Sequence, residues 1–442
     1  MMNAKKSTCF ILLALTIGTV FTSCGEDRRI EYAEQTGLDR WIDSLMREEY
    51  YWYEDMPSSK KMNYFTEPET FLNSVLSSED NYSFIEDLTA TNYSYGFEYK
   101  RYSLSDTTYY AQILYVLPNS PASEAGLGRG SYITKINGDS ITTKNYADLD
   151  GTDAMGITVA TYSDGKLGAS ETAQLSAARS LNDDPILYHS TFSWDGKSIG
   201  YLVYNHFTAG TDDSDATYNN ELLSLSKDFS GVSNFILDLR YNNSGTLSPA
   251  RLLGTILAPS NALGETFCSM MYNNKKDPQT ESNTFDATLI SSGTNLNLQT
   301  IYILVSGTTS GSAELLINSL KPYMNVVVIG ATTAGENVGL NSYTNSEYQW
   351  KMHLAVCQLL NADGDTYENG ITPDYAVTES QDTRSTFLPF GDTKELLLAT
   401  ALSVIDGTYS SSTTTASTHN ALKTKEIFSS LKQTAGHGVQ LK

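Results

Sequence analysis

The chain is poor in cysteine, histidine and basic residues, and each shortage removes a class of function. It has four cysteines in 442 residues. Cys9 falls within an apolar leader and Cys24 directly behind it, so only Cys268 and Cys357 remain for the folded part and at most one disulfide can form. The five histidines, His189, His206, His353, His419 and His437, are scattered, and no Cys/His cluster has the spacing of a metal site. No metal and no cofactor is therefore expected. Lys and Arg total 29 against 51 Asp and Glu, a formal charge of −22, which argues against nucleic acid and against adsorption to anionic lipid. Long apolar runs are missing too, since Phe10–Val20 is too short to cross a bilayer. One last shortage is local: no lysine lies between Lys321 and Lys351.

What is present is globular in character, with 40% apolar and 18% charged residues and a length that suits two or three domains. Lys5-Lys6 followed by Phe10–Val20 has the form of a secretory signal, a basic start before a short apolar run. The run ends in Phe21-Thr22-Ser23-Cys24, which resembles a bacterial lipoprotein cleavage site. That resemblance implies a signal peptide over 1–23, a lipidated Cys24 and an anchor in the outer membrane of the cell envelope. Glu26 and Asp27 resemble the acidic signal for surface export in Bacteroidetes.

The stretch that organises the remainder is Ile301–Gly339. Ile301–Val305 is the length of a buried strand and Ser306–Ser310 a polar turn. From Ser312 apolar residues recur at helical spacing until Lys321-Pro322 stops the helix. Asn325–Ile329 is a second buried strand and Gly330–Gly339 a loop. This is a βαβ unit, so its strands should be parallel neighbours. Ser310 and Ser312 suit helix capping, with Glu314 in the first turn facing the helix dipole.

Ile301–Gly339 resembles the core of the carboxyl-terminal processing, or tail-specific, serine peptidases, which use a Ser/Lys dyad. Their helix opens on S-A-S-E and their lysine follows the next strand in a G-K motif. Anchored on Glu314, the serine position falls on Gly311 and the lysine position on Glu336. Glycine carries no nucleophile and glutamate no amine to activate one. Phe235–Arg240 followed by Tyr241–Gly245 resembles the family's D-L-R strand and glycine-rich oxyanion turn, with Gly245 retained and Asn243 and Ser244 departing. Asn369-Gly370-Ile371-Thr372-Pro373-Asp374 resembles its N-G-I-x-P-D ending. Ser120–Leu127 (SPASEAGL) and Ile133–Gly138 resemble a PDZ domain, with Gly96, Phe97 and Glu98 at the carboxylate-binding loop.

These readings give an α+β multidomain chain. A linker and a small helical domain cover 24–90, a PDZ-like β domain 91–180, and an α/β peptidase core of ClpP/crotonase type 181–406. A Ser/Thr-rich linker and tail fill 407–442. Asp150–Ala178, within the PDZ-like β domain, is polar and turn-rich, which leaves its edges unmarked. The resemblance implies a pseudopeptidase that binds peptides or unfolded protein carboxyl termini. The alternatives are an active endopeptidase with its nucleophile moved to Ser310 or Ser312, and a small-molecule or glycan binder on the same fold.

Overall fold

The architecture follows from two kinds of apolar pattern: short continuous runs that make strands buried on both faces, and helical repeats that cover them. The computed structural model describes residues 29–163, 166–212, 214–379, 387–410, 425–432 and 438–442. The leader, Cys24 and the Ser/Thr-rich stretch beyond Ser410 lie outside these residues.

The amino-terminal part is helical. Helix α1 (Arg29–Glu49) buries Ile42 and Met46, and α2 (Pro68–Val75) buries Phe71, Leu72 and Val75. Strand β1 (Phe84–Asp87) leads out. Next comes a seven-stranded antiparallel sheet built mainly from β2 (Phe97–Ser103), β3 (Tyr109–Val116), β4 (Ser131–Ile136), β5 (Asp139–Ser140), β6 (Met155–Ser163) and β7 (Lys166–Leu175). A one-turn helix, α3 (Pro121–Glu124), sits between β3 and β4, capped by Ser120 and Ser123 in a reciprocal box. The polar, turn-rich Asp150–Ala178 segment holds the long hairpin β6–β7, from Met155 to Leu175. Its period-2 apolar signal is faint because much of β7 faces solvent.

The core begins with β8 (Ile186–Trp194) and β9 (Lys197–Tyr204), followed by α4 (Thr217–Asp228), β10 (Asn234–Asp238) and α5 (Leu247–Leu257). Strands β11 (Thr266–Tyr272) and β12 (Thr280–Thr284) form a hairpin. Then come β13 (Thr300–Val305), α6 (Ser312–Leu320), β14 (Asn325–Gly330), β15 (Val338–Asn345), β16 (Trp350–Leu360), β17 (Tyr375–Ala376) and α7 (Leu396–Ile405). Two short tail strands close the chain, β18 (Glu426–Ser429) and β19 (Val439–Gln440).

Two six-stranded sheets result. One runs β17-β14-β13-β10-β9-β8 and is parallel apart from β8; the other runs β12-β11-β16-β15-β19, with β1 also on β16. The expected βαβ unit is present, with β13 and β14 parallel from Thr300↔Asn325 to Val305↔Gly330. All nine residues of α6 are buried, because the helix lies between the sheets with α5 beside it, while α7 covers the far face of the parallel sheet. Cys268 and Cys357 are buried free thiols. Among the described residues no helix is long and apolar enough to cross a membrane.

Candidate functional site

The site forms where the parallel strands end, and the turn between β13 and α6 is stitched to the end of β10. Thr309 Oγ1 donates to the Leu239 carbonyl at 2.8 Å, the Ser310 N–H donates to Asn242 O at 3.0 Å, and Ser310 Oγ donates to Asn243 O at 3.1 Å. Gly311 then turns the chain with φ +56° and ψ −115° before the helix starts. A left-handed residue at a strand-to-helix turn is the geometry with which hydrolases raise a nucleophile. Here that residue has no side chain.

Glu314 sets what faces Gly311. Fully buried, it accepts the N–H groups of Gly311 (3.2 Å), Gly335 (2.7 Å) and Glu336 (2.8 Å) and the Thr333 hydroxyl. One carboxylate thus clamps the loop after β14 onto the start of α6, and this brings position 336 opposite position 311. A Cβ built on Gly311 would lie 3.7 Å from Glu336 Oε2. Burial pushes the Glu336 carboxyl up to about 7; the Gly438 N–H and the Ser310 hydroxyl act against this, and the Glu314 charge acts with it. Burial also raises Glu314, against the pull of its four donors. Among the described residues no cation is among the charges acting on Glu336.

The capping role expected of the two serines is not found. Glu314 accepts the N–H of Gly311, the residue before α6, Ser310 serves the Asn243 carbonyl, and the Ser312 hydroxyl is buried with no hydrogen-bond partner. Both serines are almost fully excluded from solvent.

The turn after β10 lies alongside. Asn242 Nδ2 donates to Tyr204 O at 3.0 Å, Asn243 Nδ2 to Leu431 O at 2.6 Å, and the Gly245 carbonyl accepts the Gln440 N–H at 3.0 Å. Behind it, Arg240 is wholly buried among Asp238, Glu379 and Glu395, and Arg129 from the middle sheet joins Glu379 and Glu395. A cavity of about 250 Å³ opens between this turn and the tail, lined by Tyr241, Ser306, Thr308, Lys100, Glu426 and Lys432.

Gly96, Phe97 and Glu98 lie apart from Gly311, at the start of β2, and they do not form an open anion cradle. The Gly96 N–H donates to Ser94 Oγ at 2.9 Å, and a Cβ there would meet Ser120 at 2.2 Å and Leu181 at 2.8 Å. Phe97 is buried. Glu98 accepts the Ser430 hydroxyl, and burial pushes its carboxyl up to about 7, with that hydroxyl acting against and Asp183 and Asp150 acting with it. The edge of β2 away from β3 is filled by β18, antiparallel, in the register Glu426↔Tyr102 to Ser429↔Lys100. Sequence reasoning left the tail unassigned, although its Gly438 and Ser430 touch two of the candidate residues. Its short polar segments carry no periodic signal that could have announced this.

Parallel sheet, elbow and clamped facing loop define an α/β peptidase core. The chain belongs to peptidase family S41: residues 198–377 match the family and residues 37–84 match its amino-terminal domain. A putative S41 protease from Bacteroides fragilis is 41% identical over 84% of this chain and 98% of its own, with a TM-score of 0.79. A photosystem II D1 C-terminal processing protease is 15% identical over 83% and 98%, with a TM-score of 0.48. A putative peptidase from Parabacteroides merdae is 18% identical over 50% and 66%, at 0.35. No curated protein matches.

Proposed function

We propose that the chain is a lipid-anchored cell-envelope member of this family that binds extended peptides, by strand addition to a PDZ-like middle domain, and does not cut them. The observation that carries this reading is what adjoins Gly311. A Cβ there would lie 3.7 Å from Glu336 Oε2 and 2.7 Å from the Gly438 carbonyl oxygen, so positions 311 and 336 adjoin as a nucleophile and its base would, while neither residue fills that role. The antiparallel strand on the β2 edge supports peptide binding, because that edge already accepts a strand.

The test is a cleavage assay on an unfolded substrate together with a serine-directed covalent probe. The wild type should give neither turnover nor labelling, and Gly311→Ser alone should stay inert because a side chain at 311 runs into the Gly438 carbonyl, 2.7 Å from its Cβ. A second reading has one observation in its favour. Glu336, raised to about 7, would be a competent base, and the Ser310 hydroxyl lies against it. In that case the wild type would cleave and Ser310→Ala would abolish it. The hydrogen bond of Ser310 to Asn243 O and its burial speak for the first reading.

A further inference from the structure

The residues that stand where a dyad would, the first of the two that depart at the oxyanion turn, and Glu98 all meet one partner, the carboxyl-terminal segment. Gly311 leaves the space that Gly438 fills, since a Cβ at 311 would come within 2.7 Å of the Gly438 carbonyl oxygen. Glu336 Oε2 accepts the Gly438 N–H at 2.9 Å. Asn243 Nδ2 holds the Leu431 carbonyl at 2.6 Å, and Glu98 holds the Ser430 hydroxyl. A serine at 311 would collide with this backbone, and a lysine at 336 would present donors to an N–H that needs an acceptor.

The segment is fitted in return. Gly438 has φ +84°, and a Cβ on it would lie 2.8 Å from the Val338 carbonyl oxygen, so only glycine passes here. Val439 beyond it is fully buried. Gln440 donates its N–H to Gly245 O at 3.0 Å, and its side-chain oxygen reaches Ser342 Oγ at 3.1 Å and His353 Nδ1 at 3.0 Å. Strand β19 thus lies between the turn after β10 and the edge of β15.

We propose that Gly311 and Glu336 form a notch for a glycine backbone, and that its ligand is the chain's own carboxyl-terminal segment, seated in cis along the route an extended peptide would take. The proposal deepens the non-cleaving reading and rests on it for the route; the notch contacts stand without it. A covalently attached ligand acts at an effective concentration on the order of millimolar. A free peptide that binds the vacated route at about 10 µM would therefore be held off on the order of 100-fold in the intact chain.

Two arms test this. In the first, a protease recognition sequence is placed within 411–424 of the full chain, and the labelled synthetic peptide of residues 425–442 is offered before and after cutting. The cut chain should exchange its tail for the peptide and the intact chain should not. Equal binding by both, or no binding by the cut chain when the tail has been released, overturns the proposal. The second arm covers a tail too slow to leave: hydrogen exchange over 438–441 in intact chains. Glu336→Ala should accelerate exchange at least tenfold, and Glu336→Gln, which keeps an acceptor, should stay near wild type. Unchanged protection in Glu336→Ala overturns the notch. Cleavage of an unfolded substrate by the intact chain would sink the non-cleaving reading by itself and leave both arms readable.

Discussion

Glu336 concentrates the physical argument at the scale of one residue. Its carboxyl stands at about 7 in the fold against 4.5 for a free side chain, with Glu314 beside it and Tyr82 and Tyr367 within its field. Between those values the folded chain holds a proton that the unfolded chain has lost. Its contribution to stability is therefore intact below about 4.5 and declines as pH rises through 7. Glu336→Gln cannot ionise and should escape that decline. Denaturant unfolding at pH 5 and pH 8 should show the variant gaining on the wild type by ~1–3 kcal/mol at the higher pH. A gap that does not change with pH would mean that Glu336 ionises freely. Glu98 titrates in the same window, so the wild type should keep some pH dependence in either case. Glu336 was legible as a position from its spacing behind Gly311, itself anchored on Glu314, but its environment was not, because the groups that act on it, Glu314, Ser310 and Gly438, come from separate parts of the chain.

Among the elements, the βαβ unit β13–α6–β14 was fully readable, since two apolar runs and a helical repeat ending in Lys321-Pro322 leave one solution. The hairpin β6–β7 was not, because a strand pair with a wet face and few large apolar residues is hard to tell from loop. Asp238 and Arg240 were visible as a strand end, yet nothing in sequence shows that Arg240 is buried against Glu379 and Glu395, distant in the chain. The start of β2 carries a prediction. Had Gly96-Phe97-Glu98 cradled a terminal carboxylate, a free-acid peptide would bind tighter than its amide by about 1.5–3 kcal/mol, roughly tenfold or more. With the Gly96 N–H committed to Ser94, calorimetry should find acid and amide within about twofold of each other. A tenfold preference for the acid would show that this loop opens.

For the whole molecule, the middle sheet is tied to the core through Arg129 among Glu379, Glu395 and Tyr241 and through Tyr115 stacked on Tyr241, and to the tail through β18 on β2. The proposed membrane anchor is also a property of the whole molecule. A formal charge of −22 gives it no attraction to an anionic surface, and Phe10–Val20 is too short to span one. The attachment proposed above is through acyl chains on Cys24, and stable attachment of that kind needs more than one chain, since a single one holds only marginally. Mass spectrometry of the mature protein should find Cys24 at the amino terminus, modified by acyl groups. The wild type should sediment with membranes and stay there through a high-salt wash, because no ionic contact is being screened. Cys24→Ala should appear in the soluble fraction or fail to be processed at that position. Release of the wild type by salt, or an unmodified terminus at another residue, would reject the anchor and leave the molecule held by contacts other than lipid.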